Sequence, residues 1–409
     1  MKILIFAHRL EVGGSQNNAI DLAVVLRERH GHEVVFFATP GPMAKVIEEK
    51  GLRFLPAPYV KSHPSLAMVR ALHEAVRRER PDLIHTWDYW QCFDAYFEYF
   101  LWRVPMIMSD TGSDAVRRFL PKRLPMTFGT PEFVDMARAA GRRRLELIVP
   151  PVDVHLNAPG AVDPRAFREQ HGLKAGDLTL VTVSRLAGVM KAESLRRSID
   201  AVRVLGRDLP LRFLIAGSGD ASAELQQMAD RTNSELGRCA VTLTGELLDP
   251  RPAYASADIV IGMGGSGLRA MAFAKPVIIV GVKGFSAPFT PETADSFYYK
   301  GIYGYGDGNS SNARLVSQIR ALAGQPDKLP ELGAFSRQFV MRHFSLEEVA
   351  AKLSAFCSAA VAEPTPFAVA ATDGLRTAAI RLGGRFVPDL VRRLVKGRES
   401  KKLAEMKSS

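Results

Sequence analysis

Cysteine and long apolar runs are both scarce in this chain. Only Cys92, Cys239 and Cys357 occur among 409 residues, and they lie far apart. This number and spacing exclude a disulfide framework and a Cys-x-x-Cys metal pair, and favour a reducing compartment. No run of 18 apolar residues occurs, and the apolar start at residues 1–7 is too short for a signal peptide core. The sequence therefore predicts a cytoplasmic protein that does not span a membrane.

Charge is present in ordinary amount but is unevenly spread. The chain is 47% apolar and 24% charged, which is typical of a soluble globular protein, and its length favours two domains. Of the net charge of +11, +7 lies in residues 374–409, which hold ten Lys or Arg and three acids. That excess predicts an anionic partner surface, either lipid or nucleic acid.

Short apolar strands alternate with helices along most of the chain. Strands are predicted at residues 2–7, 32–39, 52–57, 81–86 and 105–109, with helices at 19–30, 43–50 and 65–80. After a proline-rich hinge at 150–159, strands are predicted at 178–185, 212–217 and 241–245, with helices at 193–205 and 221–236. This alternation predicts two α/β domains, each a doubly wound parallel sheet, with a ligand in the cleft at the strands' carboxyl ends.

A glycine-rich turn follows the apolar strand at residues 258–262. Residues 264–268, Gly264, Gly265, Ser266, Gly267 and Leu268, lead from that strand into a helix. Backbone N–H groups and a helix N-terminus therefore converge there, which attracts an anion, most often a phosphate. The alternative is a tight turn that binds nothing. The turn also fits G-x-G-x-x-G, but that match alone is weak.

Other loops at predicted strand ends carry residues capable of binding or catalysis. They are Gly13-Gly14, His85, Ser184-Arg185-Leu186 with Lys191, Gly217 and Gly219, and Gly245-Glu246. Arg185 and Lys191 near a glycine-rich helix N-terminus predict a diphosphate clamp, because cations and N–H donors together neutralise that charge. The alternatives are solvated loop charges for these two residues and a core histidine bonded to backbone for His85.

The order of these pieces resembles that of the GT-B glycosyltransferases, closest to the retaining glycosyltransferase family 4. The resemblance covers almost the whole chain. Its pieces are Gly13-Gly14, residues 31–34, 81–85 and 149–153, Ser184-Arg185-Leu186 with Lys191, and residues 215–219, 254–258 and 270–277.

This resemblance implies a GT-B fold, in which two Rossmann-like domains face a cleft. Residues 1–155 would form the acceptor-side domain and 165–340 the donor-side domain. Residues 341–362 would form a helix returning to the first domain, and 374–409 a basic amphipathic helical tail. The implied function is transfer of a sugar from a UDP- or GDP-linked donor to a saccharide or lipid-linked acceptor in envelope or polysaccharide synthesis. The implied mechanism is retaining, without cofactor or metal, and no Asp-x-Asp motif is evident.

The resemblance also implies residue roles. His85 would touch the donor sugar, while Arg185 and Lys191 would bind the diphosphate and stabilise its developing charge, so these three are the predicted catalytic residues. The nucleotide base would lie near Gly245, Glu246 and Leu247. The other predicted donor-binding residues are Gly13, Gly14, Gly217, Gly219, Gly264, Gly265, Ser266, Gly267, Leu268 and Arg269.

Arg269 departs from the family pattern, since it stands where the family's second glutamate is expected. Arginine has no hydrogen-bond acceptor for a ribose hydroxyl. A cation in the first turn of a helix opposes the helix dipole, so a compensating partner is expected. That partner is either an acid such as Glu246 or Glu292, or a phosphate or carboxylate of the ligand; we favour the ligand.

Two surface features stay open at this stage. Nine aromatics lie between Trp87 and Trp102, and those at helical spacing predict either core packing or an acceptor or lipid-contact face. The tail at 374–409 predicts either a helix on an anionic membrane surface, placing the protein on the inner face of the cell membrane, or a solvated segment. Nucleic acid is not favoured as its partner.

Three other functions compete with sugar transfer. A nucleotide-sugar epimerase can use the same fold, and loss of the glutamate allows a catalytically lapsed binding protein. An NAD(P)-dependent oxidoreductase would need an acid about 20 residues after the glycine motif, and that strand instead ends Gly281-Val282-Lys283.

Overall fold

Two β-sheets with helices on both faces organise the chain. The computed structural model describes residues 1–11, 13–110, 119–186, 191–308 and 312–386, with side chains described up to 380. The first sheet has seven parallel strands in the order β3-β2-β1-β4-β5-β6-β7. The second has six strands in the order β10-β9-β8-β11-β12-β13, of which only β13 is antiparallel to its neighbour. The predicted fold class, two doubly wound α/β domains, is confirmed.

The first domain follows the predicted alternation and adds two strands. Its strands are β1 (Lys2–Phe6), β2 (Glu33–Ala38), β3 (Arg53–Pro56), β4 (Leu83–Trp87), β5 (Met106–Asp110), β6 (Met126–Phe128) and β7 (Leu145–Leu147). Its helices are α1 (Gly14–Glu28), α2 (Ala44–Glu49), α3 (Leu66–Glu79), α4 (Tyr89–Trp102) and α5 (Pro131–Ala139). The strands β6 and β7 are three residues each, too short to show a period.

The second domain begins after the proline-rich hinge. Its strands are β8 (Leu178–Val183), β9 (Leu211–Ala216), β10 (Val241–Gly245), β11 (Ile259–Gly262), β12 (Val277–Val280) and β13 (Ser286–Pro288). Its helices are α6 (Arg165–Gln170), α7 (Ala192–Leu205), α8 (Ser222–Leu236), α9 (Arg251–Ser256), α10 (Gly265–Ala272), α11 (Pro291–Lys300), α12 (Ala313–Ala323) and α13 (Lys328–Phe344). One buried apolar cluster includes Trp87, Leu268 and Phe344, so the core continues from one domain into the other.

The chain returns to the first domain after α13. Val152 in the hinge and Ser345 form a parallel β-bridge, with hydrogen bonds from Val152 N to Phe344 O (2.8 Å) and from Leu346 N to Val152 O (2.9 Å). The return helix α14 (Leu346–Ala362) then packs on α1. It begins five residues later than the predicted 341–362 segment. The bridge at Ser345 separates it from α13.

The C-terminal helix starts earlier than the predicted tail. Helix α15 (Phe367–Phe386) packs on α4, and the Tyr96 hydroxyl donates to the Ala370 carbonyl (2.9 Å). Seven of the ten basic residues of the 374–409 tail fall in 387–409, outside the described residues. Over the described ranges, no single helix is long and apolar enough to cross a membrane. One pair, Leu346–Ala362 with Phe367–Ile380, passes by length and composition, with a bend of 109° between its members.

Candidate active site

The carboxyl ends of the two sheets meet at a cavity of about 240 Å³ between the domains. The first domain lines it through α1, the ends of β4 and β5, and the β6–α5 turn, and the second through the start of α10 and the segment after α11. Of the predicted donor-binding residues, only Gly264 and Leu268 line this cavity. Apart from Arg269, which lines a separate pocket, the others lie along the edge of the second sheet or at the start of α1.

The loops after β10, β9, β8 and β11 follow one another along one edge of the second sheet. Because these four strands are parallel neighbours, they bring Gly245, Gly217, Arg185 and Gly264 into that order. The Thr182 hydroxyl donates to the Ile261 carbonyl (2.7 Å), which ties the end of β8 to β11. The arginine loop therefore adjoins the N-terminus of α10, as the sequence predicted.

Gly217 and Gly219 hold the Arg185 loop against the sheet. The Ser184 N–H donates to Ala216 O (2.9 Å) and the Leu186 N–H to Ser218 O (2.8 Å). A Cβ on Gly217, whose φ is +143°, would lie 1.8 Å from Ser184 O, and one on Gly219 would lie 2.4 Å from Leu186 O. These two predicted donor-binding glycines therefore have a packing role, which is to let two loops approach closely.

Lys191 and Arg185 form the electropositive part of this edge. Arg185 is exposed, and Lys191 is half-buried at the residue before α7. Burial lowers the pKa of Lys191 first, and the positive charge of Arg185 lowers it further. Two cations that repel each other at the mouth of a cleft are stabilised when an anion binds between them. The pair therefore has the electrostatics of a diphosphate site.

The glycine-rich turn opens α10 beside these cations. Gly264 has φ +56° and ψ −134°, a conformation that essentially only glycine adopts, and its N–H donates to Ile302 O (2.6 Å). The Ser266 hydroxyl is used locally, donating to Met263 O (3.0 Å). Gly265 is exposed, and a Cβ on buried Gly267 would meet Ile302 and Ile279 side chains at 3.3–3.4 Å. The first-turn N–H groups of α10 are therefore the candidate anion donors of this turn.

Gly13 and Gly14 open α1 on the opposite wall. Gly13 is the extended residue before the helix, and the next helical residues, Ser15 and Asn18, line the cavity. The helix thus starts at Gly14 rather than at the predicted Ala19. Residues 14–18 are mostly weak helix formers, so the sequence pattern did not show that the helix begins there. In the structure, packing of the later apolar residues outweighs this low helix propensity. Two helix N-termini, from α1 and α10, therefore border the same cleft.

The predicted base-binding stretch lies at the far end of the edge. Gly245 and Glu246 are exposed and Leu247 is half-buried. The Glu246 carboxylate accepts a hydrogen bond from the Ser218 hydroxyl (3.2 Å). This open, partly apolar shelf continues the positively charged edge outward from the cavity.

His85 does not reach the cleft, so the predicted contact with the donor sugar is wrong. Its side chain is fully buried in β4, and Nε2 lies 2.7 Å from Ser109 Oγ, which lies 2.7 Å from Thr127 Oγ1. Burial lowers its pKa to about 3, so the ring is neutral. His85 instead links three neighbouring strands, and Ser109 and Thr127 line the cavity in its place.

Trp87 and Asp110 are the cleft residues that sequence reasoning missed. They are the last residues of β4 and β5, and both are buried and line the cavity. Among the described residues, the Trp87 indole Nε1 is buried without a hydrogen-bond partner, which makes it a candidate donor to a ligand. The predicted strands stopped at 86 and 109, one residue short in each case. Extending each predicted strand by one residue would have found them, because the last side chain of a strand lies at the carboxyl end of the sheet, where the cleft is.

Two family models match this chain, one over each domain. The model of Glycosyltransferase Family 4 matches residues 12–155, and that of Glycosyl transferases group 1 matches residues 177–296. Together they take in well over half of the chain. The chain is a glycosyltransferase of the family 4 type. No curated protein matches the sequence.

Solved structures share the fold of this glycosyltransferase at low sequence identity. Anabaena HepE in complex with UDP is 16% identical, covers 88% of this chain and 100% of its own, and has a TM-score of 0.70. A glycosyltransferase from Rickettsia africae is 15% identical over 89% of this chain and 99% of its own, with a TM-score of 0.71. Sucrose-phosphate synthase from Thermosynechococcus elongatus is 16% identical over 88% and 100%, with a TM-score of 0.64. These likenesses confirm the GT-B fold.

In this glycosyltransferase Arg269 does not line the cavity between the domains, which favours the predicted acid partner over the predicted ligand contact. It lies in the last turn of the eight-residue helix α10, where a cation favours the helix dipole. It lines a separate pocket with Asp21 of α1 and Asp153 of the hinge. Burial raises the pKa of Asp21, and the charges of Lys50 and Arg269 oppose that rise. Arg269 therefore lies near Asp21 and Asp153 rather than near Glu246 or Glu292.

We expect Arg269→Glu to lower stability without changing nucleotide affinity. The change removes a partly exposed cation and adds a third carboxylate beside Asp21 and Asp153, each effect costing on the order of 1 kcal/mol. Arg269→Gln is the control, because it removes the cation without adding a carboxylate, and it should lower the free energy of unfolding by about half as much. Urea unfolding and UDP titration measure the two quantities. A changed UDP affinity with unchanged stability would return Arg269 to the donor site.

Within the described ranges, no three His, Cys, Asp or Glu side chains converge on a point that could hold a metal ion. Metal independence remains a prediction from the family resemblance.

Proposed function

We propose that this glycosyltransferase moves a sugar from a UDP- or GDP-linked donor to a saccharide or lipid-linked acceptor of envelope or polysaccharide synthesis. The observation that carries the donor assignment is the pair Arg185 and Lys191 beside the N-terminus of α10. The HepE complexes with UDP and with UDP-glucose support a UDP-linked donor. The protein would act in the cytoplasm, or at the inner face of the cell membrane.

In this proposal the nucleotide lies along the edge of the second sheet. The base rests near Gly245–Leu247, and the diphosphate lies between Lys191, Arg185 and the first-turn N–H groups of α10. The sugar then points into the cavity lined by Trp87, Asp110 and the start of α1. Bond cleavage places negative charge on the leaving diphosphate, and fixed cations and N–H dipoles stabilise that charge. No metal or cofactor is needed for this step.

A panel of ligands tests the donor assignment. We expect UDP or GDP, and one of their sugar derivatives, to raise the melting temperature, because binding to the folded state stabilises it in proportion to the logarithm of ligand concentration over Kd. NAD should give no shift. Stabilisation by NAD alone would contradict the proposal. Conversion of a nucleotide sugar to its epimer without acceptor would assign an epimerase instead.

A further inference from the structure

An apolar groove of about 470 Å³ runs between α4 and α15 on the first domain. Phe93, Phe97 and Phe100 line one wall, and Leu375 and Ala378 line the other. The two helices are held together by the Tyr96–Ala370 hydrogen bond and by stacking of the Phe100 and Phe367 rings, whose centroids are 5.3 Å apart. The groove is therefore a fixed feature of the packed helix pair.

Exposed apolar side chains concentrate around this groove. Ten of the sixteen large apolar side chains that are exposed in the described residues lie on α3, α4, α15 or the loop before α3. They are Tyr59, Leu66, Trp90, Phe97, Leu101, Trp102, Phe367, Val369, Leu375 and Ile380. Exposed apolar side chains gathered on neighbouring helices mark a candidate interaction site. Phe97 and Leu375, on opposite walls, are 42% and 74% exposed.

A polar cavity of about 450 Å³ continues the groove, since Ser62 and His63 line both. Its lining adds the cations Arg9 and Lys61 and includes no carboxylate. The acid nearest to these cations is Glu11, whose carboxylate lies 3.0 Å from Arg9 Nε, but both side chains of that pair are more than half exposed, so it adds little to stability and Arg9 can exchange it for a bound anion. The other nearby acids are engaged elsewhere: Asp88 lies 3.4 Å from His8, and Asp94 is hydrogen-bonded to His63. This cavity therefore suits an anionic group that follows an apolar chain.

The polar cavity also adjoins the donor cleft. His8 follows β1, and Asp88 follows Trp87, which lines the cleft. Asp88 has φ +90° and ψ +165°, a conformation rarely taken by residues other than glycine, and such strain persists mainly at functional sites. The groove, the polar cavity and the donor cleft thus follow one another across the first domain.

We propose that the groove binds the apolar chain of a lipid-linked acceptor and that Arg9 and Lys61 bind its phosphate. The inference rests on the proposed function and names the acceptor class. An amphiphile seated this way places the atoms next to its phosphate beside His8 and Asp88, facing the donor sugar. Charge complementarity and the continuity of the two cavities select an anionic amphiphile over a neutral one.

Titration of the full chain with farnesyl phosphate, farnesol and inorganic phosphate tests the proposal. We expect farnesyl phosphate to bind at least about ten-fold tighter than either of the others, because each buried methylene and each charge-assisted contact adds to affinity. Ala378→Trp, which fills the groove, should weaken farnesyl phosphate binding at least about ten-fold. Ala379→Trp, one position along and outside the groove lining, should change it less than about two-fold.

A double variant tests the proposed contacts of Arg9 and Lys61 with the phosphate. Arg9→Ala with Lys61→Ala should remove most of the preference for farnesyl phosphate over farnesol and leave farnesol binding unchanged. Equal binding of farnesyl phosphate by wild type and Ala378→Trp overturns the proposal. UDP affinity, measured on the same samples, should not change in any variant. Absence of UDP binding in wild type would instead contradict the proposed donor.

Discussion

Lys191→Ala should weaken UDP or GDP binding by about 1.5–3 kcal/mol, which is roughly 10- to 150-fold, and Arg185→Ala should have an effect of the same size. The reason is that each removes a charge-assisted bond to a diphosphate in a partly desolvated site. Titration calorimetry measures the loss. Lys174→Ala is the matched control, because Lys174 is exposed on the same domain, away from the donor edge. Unchanged affinity in both cleft variants would remove the diphosphate from this site.

The pH dependence of binding gives an independent test of Lys191. Its pKa lies below the ordinary 10.5 in the free protein, and a bound diphosphate favours the charged form and raises it. Only the protonated lysine binds the diphosphate well. Affinity should therefore be constant at lower pH and fall as pH rises through the free-protein pKa, with proton uptake on binding in that window. Lys191→Arg should abolish this fall, since arginine stays charged.

Gly217→Ala should be the most destabilising single substitution at the donor edge. The new Cβ would lie 1.8 Å from Ser184 O, a backbone atom that cannot move without displacing the Arg185 loop, and φ of +143° disfavours a side chain. We expect a loss of more than about 3 kcal/mol in the free energy of unfolding, the range of severe backbone conflicts. Any folded fraction should also bind UDP more weakly.

Gly237→Ala is the control for that substitution. Gly237 ends α8 with φ +64°, and a Cβ there meets nothing within 4 Å. Its cost should be only about 1–2 kcal/mol, the ordinary penalty of left-handed backbone for a residue with a side chain. Equal losses in the two variants, measured by urea unfolding, would show that the contact with Ser184 is not the dominant effect.

The sequence predicted the second domain better than the first. Residues 178–280 alternate between clear buried strands and helices. From this order the sequence alone predicted that Arg185, Gly217 and Gly264 lie at one edge of the sheet. In the first domain, β6 and β7 are too short to recognise. Strand ends predicted one residue short concealed Trp87 and Asp110. A side chain's access to a cleft depends on that single residue, since neighbours in a strand face opposite sides.

His85 was misassigned, and the surroundings of Arg269 were not foreseen, for a different reason. Both were placed by resemblance or by position along one helix, whereas their surroundings come from distant parts of the chain. Ser109 and Thr127 lie beside His85 on neighbouring strands, and Asp21 and Asp153 line one pocket with Arg269. Contacts of this kind depend on how the sheets and domains pack, which no local pattern contains.

A crystal structure of the protein with UDP tests the account most directly. The account predicts the diphosphate within hydrogen-bond distance of Lys191 Nζ, the Arg185 guanidinium and the first-turn N–H groups of α10, with the base against Gly245–Leu247. A diphosphate bound instead at Arg269, beside Asp21 and Asp153, or at Arg9 and Lys61, would contradict it.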